Sequence, residues 1–199
     1  MELDEVIRRR RMCRDFSDRP VGRDVVDRLL DRARRAPSAG HTQGWAFLVM
    51  EGPAEVGRFW RATSDPDWLA APSLPGLLRA PVVVVPMASE SAYRDRYGEK
   101  DKALAGPAGG WSVPYWTVDV SFATMLLLLG AVDERLGALF FGLRPGSPDR
   151  LRHEFGVPDG WDPIGAVALG WPAPAERPSG SSTRRPRRAW DEVVHRGGW

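Results

Sequence analysis

Between Val21 and Ala33 the apolar residues Val25, Val26, Leu29, Leu30 and Ala33 recur at the three- and four-residue spacing of an amphipathic helix, with charges between them. Pro37 stops that helix. A shorter amphipathic helix opens the chain, with Leu3, Val6 and Ile7 on one side, and runs into Arg8-Arg9-Arg10-Arg11. The small-residue loop Ser38-Ala39-Gly40-His41-Thr42-Gln43-Gly44 leads into a strand at 45–51, too short for a stable helix and rich in strand formers. Residues 55–63 predict a helix. Ala80-Pro81-Val82-Val83-Val84-Val85 predicts a central strand, because it is apolar on both faces.

From Ser89 to Trp116 no period survives, and the stretch holds Tyr93, Tyr97, Trp111, Tyr115 and Trp116. A loop of that length in a compact domain is usually a lid or a binding loop. The longest predicted helix covers 117–136, and its Met125-Leu126-Leu127-Leu128-Leu129 run is apolar all round, as a core or a subunit interface requires. Strands at 137–142 and 164–170 flank a helix at 148–155 that Ser147 starts. Beyond Trp171 the chain is rich in Pro, Gly and Arg, with an extended end expected at 190–195. Strands separated by helices, without internal repeats, indicate a sheet packed between helices and one domain over 1–199.

Composition narrows the class. The 199 residues are 43% hydrophobic and 27% charged, with a net charge of +2, which suits a globular protein and not a disordered or fibrous one. The single cysteine, Cys13, excludes an internal disulfide framework and fits a reducing, cytoplasmic setting; as a lone residue it reads as packing rather than chemistry. The N-terminus is acidic and polar, unlike a signal peptide. The longest apolar stretch, 118–132, is interrupted by Asp119, Ser121 and Thr124 and is shorter than the ~20 residues of a membrane span. His41, His153 and His195 are isolated, so no metal site is expected. There is no P-loop, nucleophile elbow or Gly-x-Gly-x-x-Gly after a strand.

Charge is placed unevenly. Residues 1–45 hold 11 Arg against 8 acids, residues 177–199 hold 6 Arg against 2, and the middle is acidic. Lys100 and Lys102 are the only lysines, a bias toward arginine that a GC-rich bacterial genome tends to encode. Basic ends allow nucleic-acid binding, but the small net charge offers little counterion release and no helix-turn-helix pattern is present, so no nucleic-acid partner is expected.

Three segments together are specific. They are Arg10-Arg11-Met12-Cys13-Arg14-Asp15-Phe16, then Ala36-Pro37-Ser38-Ala39-Gly40-His41-Thr42-Gln43-Gly44-Trp45, then Arg185-Pro186-Arg187-Arg188-Ala189-Trp190-Asp191-Glu192-Val193-Val194-His195. In order and spacing, over residues 6–195, they resemble the FMN-dependent nitroreductase family. Four positions depart from the family pattern: Met12 stands for serine, His41 for asparagine, Gly44 for proline, and Leu126 lies near a frequent asparagine.

The resemblance implies an α+β three-layer α-β-α sandwich, with a mostly antiparallel central sheet flanked by helices and a C-terminal segment, 171–199, extending to a partner subunit. It implies a homodimer with tightly bound, non-covalent FMN at the subunit interface. Arg10, Arg11, Arg185 and Arg187 would grip the phosphate and ribityl chain. Arg14 would lie near flavin N1, where a cation stabilises the reduced anion. Pro37, Ser38, His41 and Gln43 would lie along the ring, and Gly142 would offer its N–H toward N5. Tyr93, Trp111 and Trp116, in the expected lid at 89–116, are the acceptor-pocket candidates. The implied reaction is ping-pong: NAD(P)H gives a hydride to the flavin and leaves before a nitroaromatic or quinone acceptor enters. No side chain is singled out as catalytic. Two alternatives stand beside this reading: an FMN enzyme specialised for one biosynthetic metabolite, and a non-catalytic flavin storage or sensor protein.

Overall fold

The computed structural model describes residues 1–105 and 110–199. Seven α-helices and five strands alternate in the order α1 (Leu3–Arg9), α2 (Arg23–Ala33), β1 (Trp45–Glu51), α3 (Gly52–Thr63), α4 (Pro66–Ala70), β2 (Val82–Ala88), α5 (Glu90–Tyr97), α6 (Tyr115–Asp133), β3 (Gly137–Phe141), α7 (Ser147–Phe155), β4 (Asp162–Pro163) and β5 (Ala166–Gly170). The strands form one antiparallel sheet in the order β1-β2-β5-β3, with β4 adding two residues beside the end of β2. This is the α+β sandwich expected from the sequence.

Alternation along the strands builds two apolar layers. Val83 and Val85 of β2, Leu139 of β3 and Ala168 of β5 face Phe59 and Trp60 of α3 and Leu151 of α7. Val82, Val84, Val167 and Leu169 face the other way, onto Val26 and Leu29 of α2 and Leu127 and Leu128 of α6. Every residue of β2 is buried, as its two-faced apolar run requires. The strand continues through Pro86, further than its valine run predicts. Pro86 stands where the β5 ladder has ended at Val84 and the β4 ladder has not begun until Met87, so its missing N–H leaves no ladder partner unsatisfied.

Three expectations change. The stretch at 89–116 is not all loop, because α5 forms within it, with Ser89 Oγ accepting from the Ala92 N–H. Tyr93 is the only residue of α5 that is buried, so its sequence carries no apolar stripe from which a helix is legible. Residues 106–109 of the expected lid lie outside the described residues. The segment at 190–195 is a turn and not extended: Glu192 caps it through the Ala189 N–H at 3.2 Å, and the Val193 and Val194 N–H groups both return to Trp190 O. Finally, α6 spans 19 residues, two further N-terminal than expected, and stops at Asp133 because Arg135 turns left-handed (φ 62°).

By length and composition α6 alone, among the described residues, is apolar enough to cross a bilayer. Its buried face, including Ala123, Leu127 and Ala131, instead packs against α2 and the sheet. Its other face holds Phe122 and Met125, each about half exposed; Leu3 and Ile7 of α1, a helix that packs against α6, are exposed as well.

Candidate functional site

The loop that enters β1 is held in a costly conformation. Gly40, His41 and Gln43 all have positive φ (63°, 54° and 52°), a region where only glycine is free of steric penalty. Several bonds fix it. The Ala39 N–H donates to Asp119 Oδ2 at 2.7 Å, the Gln43 N–H to Ser38 Oγ at 3.0 Å, and Thr42 Oγ1 to Ala39 O at 2.6 Å. Arg96 Nε of α5 donates to Gly40 O at 2.9 Å, while Asp101 and Glu99 hold the same guanidinium. Strain maintained this way is a mark of a binding loop rather than of a plain connection. His41 and Gln43 point out of this frame and are exposed, Pro37 is exposed, and Ser38 is half-buried.

Asp119 is the anchor. It lies in the second turn of α6, only 3% exposed, and accepts from Tyr93 Oη at 2.6 Å as well as from Ala39 N. Burial and the adjacent carboxylate both push the Tyr93 hydroxyl well above the ordinary phenol range, so it remains a donor. Tyr93 is 0% exposed. It is a structural pin between α5, α6 and the loop, not a wall that an acceptor can touch. Gly44 fits this arrangement: a Cβ there would stand 2.5 Å from the Tyr93 ring, so the tyrosine and the glycine require each other. Trp111 and Trp116, both half-buried, sit edge to face at 5.9 Å; Trp111 meets Tyr97 at 5.4 Å and Trp116 meets Tyr93 at 6.4 Å.

The N-terminal arginines lie elsewhere. Met12 bridges Ala138 in parallel and the Cys13 N–H donates to Ala138 O, so residues 10–14 lie along the free edge of β3. The C-terminal tail comes to the same place, where Arg14 donates to Ser179 O at 3.1 Å. The arginines of the two termini differ in how they are paired. Arg11 is paired with Glu176, whose side chain is 2% exposed, so its charge is compensated inside the chain. Arg10, Arg185 and Arg187 have no carboxylate partner among the described residues, and Arg14 bonds only backbone oxygens. Cys13 is walled in beneath them; burial pushes its thiol up to about 11.

Gly142 follows the last residue of β3, at the end of the sheet where β1 begins. It is exposed, and nothing lies within 4 Å of where a Cβ would be. From the Met12–Ala138 bridge to Gly142 is about four residues of strand, roughly 13 Å. An extended ribityl phosphate carrying a three-ring flavin spans that distance, so the free arginines at one end and the open backbone at the other fit FMN. The Ser38–Gln43 loop belongs to β1, at the opposite edge of the four-strand path, roughly 14 Å across the sheet.

The signals that sequence reasoning missed are Asp119 as anchor and Arg96 as latch. Asp119 was legible as an acid interrupting an apolar helix, which in a buried helix requires a partner. Arg96 lies in a segment where periodicity gives nothing.

Known proteins resemble this chain along most of its length. The nitroreductase family model covers residues 7–171. A Methanothermobacter thermautotrophicus protein named as an NADH dehydrogenase/NAD(P)H nitroreductase is 26% identical over 181 residues, covering 87% of this chain and 78% of its own. A Parabacteroides distasonis structure carrying the same name superposes with a TM-score of 0.71 at 21% identity, over 100% of this chain and 99% of that one. A Clostridium difficile structure described as an FMN-dependent nitroreductase gives 0.68 at 19% identity, over 98% of each. The chain belongs to the nitroreductase family.

Proposed function

We propose that this nitroreductase-family chain is an NAD(P)H-dependent oxidoreductase that carries FMN at the interface of a homodimer and reduces nitroaromatic or quinone acceptors by a ping-pong mechanism. The observation that carries the reading is the separation of the strained Ser38–Gln43 loop from the free arginines, at opposite edges of one sheet. One flavin meets both sets if a second copy contributes one of them. The exposed face of α6 at Phe122 and Met125, with the exposed Leu3 and Ile7 on the neighbouring helix α1, supplies apolar surface for that copy. The tail supports the same arrangement: every residue from Arg177 to Trp199 except Val194 is exposed on the single chain. The names of the relatives, NAD(P)H nitroreductase and FMN-dependent nitroreductase, support this choice of donor and cofactor.

Arg10, Arg185 and Arg187 neutralise the phosphate, and Arg14 places positive charge near the ring, favouring the reduced state. The Asp119 and Arg96 bonds hold the Ser38–Gln43 backbone against the ring, and Gly142, without a side chain, lets its N–H approach. When bound, FMN relays a hydride from NAD(P)H to the acceptor. NAD(P)⁺ leaves before the acceptor enters; the stored hydride, with one proton from water, would then convert a nitro group to nitroso with loss of water. Trp111 and Trp116, near that loop, remain the aromatic surfaces of the α5–α6 side that an acceptor can reach. Steady-state rates with NADH or NADPH against a quinone test the mechanism. Parallel double-reciprocal lines are expected; intersecting lines contradict ping-pong.

A further inference from the structure

The C-terminal segment is laced onto residues 11–17 before it reaches its exposed end. The Ser17 N–H donates to Trp171 O at 2.9 Å, Phe16 and Pro172 form an antiparallel bridge, and the Ala173 N–H donates to Asp15 O at 3.0 Å. Glu176, its carboxylate buried, then closes on Arg11. These ties deliver Ser179 and Gly180 to the half-buried Arg14.

The contact there fixes both the reach and the plane of the guanidinium. Arg14 Nη1 donates to Ser179 O at 3.1 Å and to Met12 O at 3.3 Å. Gly180 has φ 85° and ψ −165°, a backbone conformation open essentially to glycine alone. A Cβ on it would stand 3.2, 3.3 and 3.5 Å from Nη2, Cζ and Nη1 of Arg14. Such near-equal distances place it over the flat face of the guanidinium, so the chain passes there only because residue 180 has no side chain. A planar fork held at one nitrogen and covered on one face keeps little freedom. Its Nε and Nη2 have no acceptor among the described residues. Past this point the Thr183 N–H returns to Gly180 O and the Arg185 N–H to Ser181 O, which closes the turn.

We infer that the Ser179–Gly180 turn is a positioning element for Arg14, and that through it the C-terminal segment sets how strongly reduced FMN is favoured over oxidised FMN. This role rests on the function proposed above, in which Arg14 lies near the ring. An arginine free to swing into solvent has its charge screened by water. The same charge held beside the ring stabilises the anionic reduced state selectively. Gly180 is thus a positioning residue: it acts through Arg14 and touches no reacting atom.

The test is the two-electron midpoint potential of protein-bound FMN, read by anaerobic equilibration with a reference dye. Gly180→Val abolishes the glycine conformation and sets carbon against the guanidinium face. It is expected to cut the preference for reduced over oxidised FMN about tenfold, the scale of one charge-assisted contact, which is a fall of about 30 mV. Arg14→Ala gives at least that fall, and Gly180→Val adds nothing to it in the double variant. A tail that served only to cover the flavin would weaken oxidised and reduced FMN alike and leave the potential in place. In flavin-free protein, trypsin cleavage after Arg184 is expected to quicken severalfold in both single variants, as the tail loosens. In a protein that binds FMN, a wild-type potential in Gly180→Val, or the same fall from Gly180→Val with and without Arg14, overturns the positioning role and leaves the proposed function standing. Unchanged cleavage in both variants contradicts the tie between Arg14 and the tail. A protein that retains no FMN sinks the proposed function and the effect on the flavin together, and faster cleavage in the variants would then leave only the contact itself.

Discussion

Tyr93 Oη and Asp119 Oδ2 meet at 2.6 Å inside the protein, and through the second bond of that carboxylate, to Ala39 N at 2.7 Å, α5 and α6 are tied to the strained loop. The two side chains are graded in what they hold. Tyr93→Phe removes one donor and leaves the loop anchor, so it is expected to cost about 1 kcal/mol of stability with little change in FMN affinity. Asp119→Ala strands both the hydroxyl and the loop N–H, costing about 3 kcal/mol and weakening FMN as the loop relaxes. Denaturant melts paired with FMN titrations separate the two; equal effects of both variants on FMN affinity would contradict the anchoring role.

Arg11 and Arg10 are neighbours with different tasks. Arg11→Ala leaves the buried Glu176 carboxylate without its counter-charge and is expected to destabilise the fold by about 2 kcal/mol. Arg10→Ala and Arg185→Ala remove cations that no carboxylate among the described residues uses, so they are expected to leave the melting temperature of the flavin-free protein near wild type while weakening FMN about tenfold each. Thermal melts of flavin-free protein and FMN binding isotherms check this split.

Cys13 makes a pH prediction. Its thiol titrates near 11 when folded, above its ordinary value of 9.0, because burial penalises the thiolate. Below pH 9 the thiol is protonated in both states and nothing is lost. As the pH rises from 9 toward 11 the unfolded chain ionises first, and stability falls by about 2 kcal/mol from this group. Cys13→Ala is expected to flatten that share of the alkaline limb in urea melts between pH 8 and 11. In native protein at pH 8 a disulfide reagent is expected to label Cys13 only as fast as the protein opens.

The exposed side of α6 gives a fourth test. Phe122→Asp is expected to shift the protein from dimer to monomer in analytical ultracentrifugation and to weaken FMN binding with it, because each site then loses one of its two walls. A variant that stays dimeric, or a monomer that binds FMN as wild type does, would argue against an interfacial flavin.

Much of this fold is legible in the chain. The valines of β2 and the 25–33 periodicity announce elements whose burial is set by their own spacing, and the three motif segments keep their order over nearly the whole length. What the sequence hides depends on tertiary partners. The single inward residue of α5 gives no period, and the role of Arg96 exists only once Gly40 O is beside it. Tyr93 is an aromatic in a segment that reads as a lid, yet it is fully buried because Asp119 and Gly44 are shaped around it. Arg11 is one arginine of four in a row, and only Glu176, 165 residues on, distinguishes it.

The central claim is that this chain carries a reducible flavin, and the absorbance spectrum of the purified protein tests it most directly. Spectra are taken after equilibration with FMN and removal of excess, then under anaerobic NADH, then under NADPH. The account predicts flavin bands that remain with the protein and bleach with at least one donor. Flavin that stays oxidised with both donors would contradict the enzymatic reading and favour storage or sensing. A protein that retains no flavin after soaking would contradict the cofactor itself.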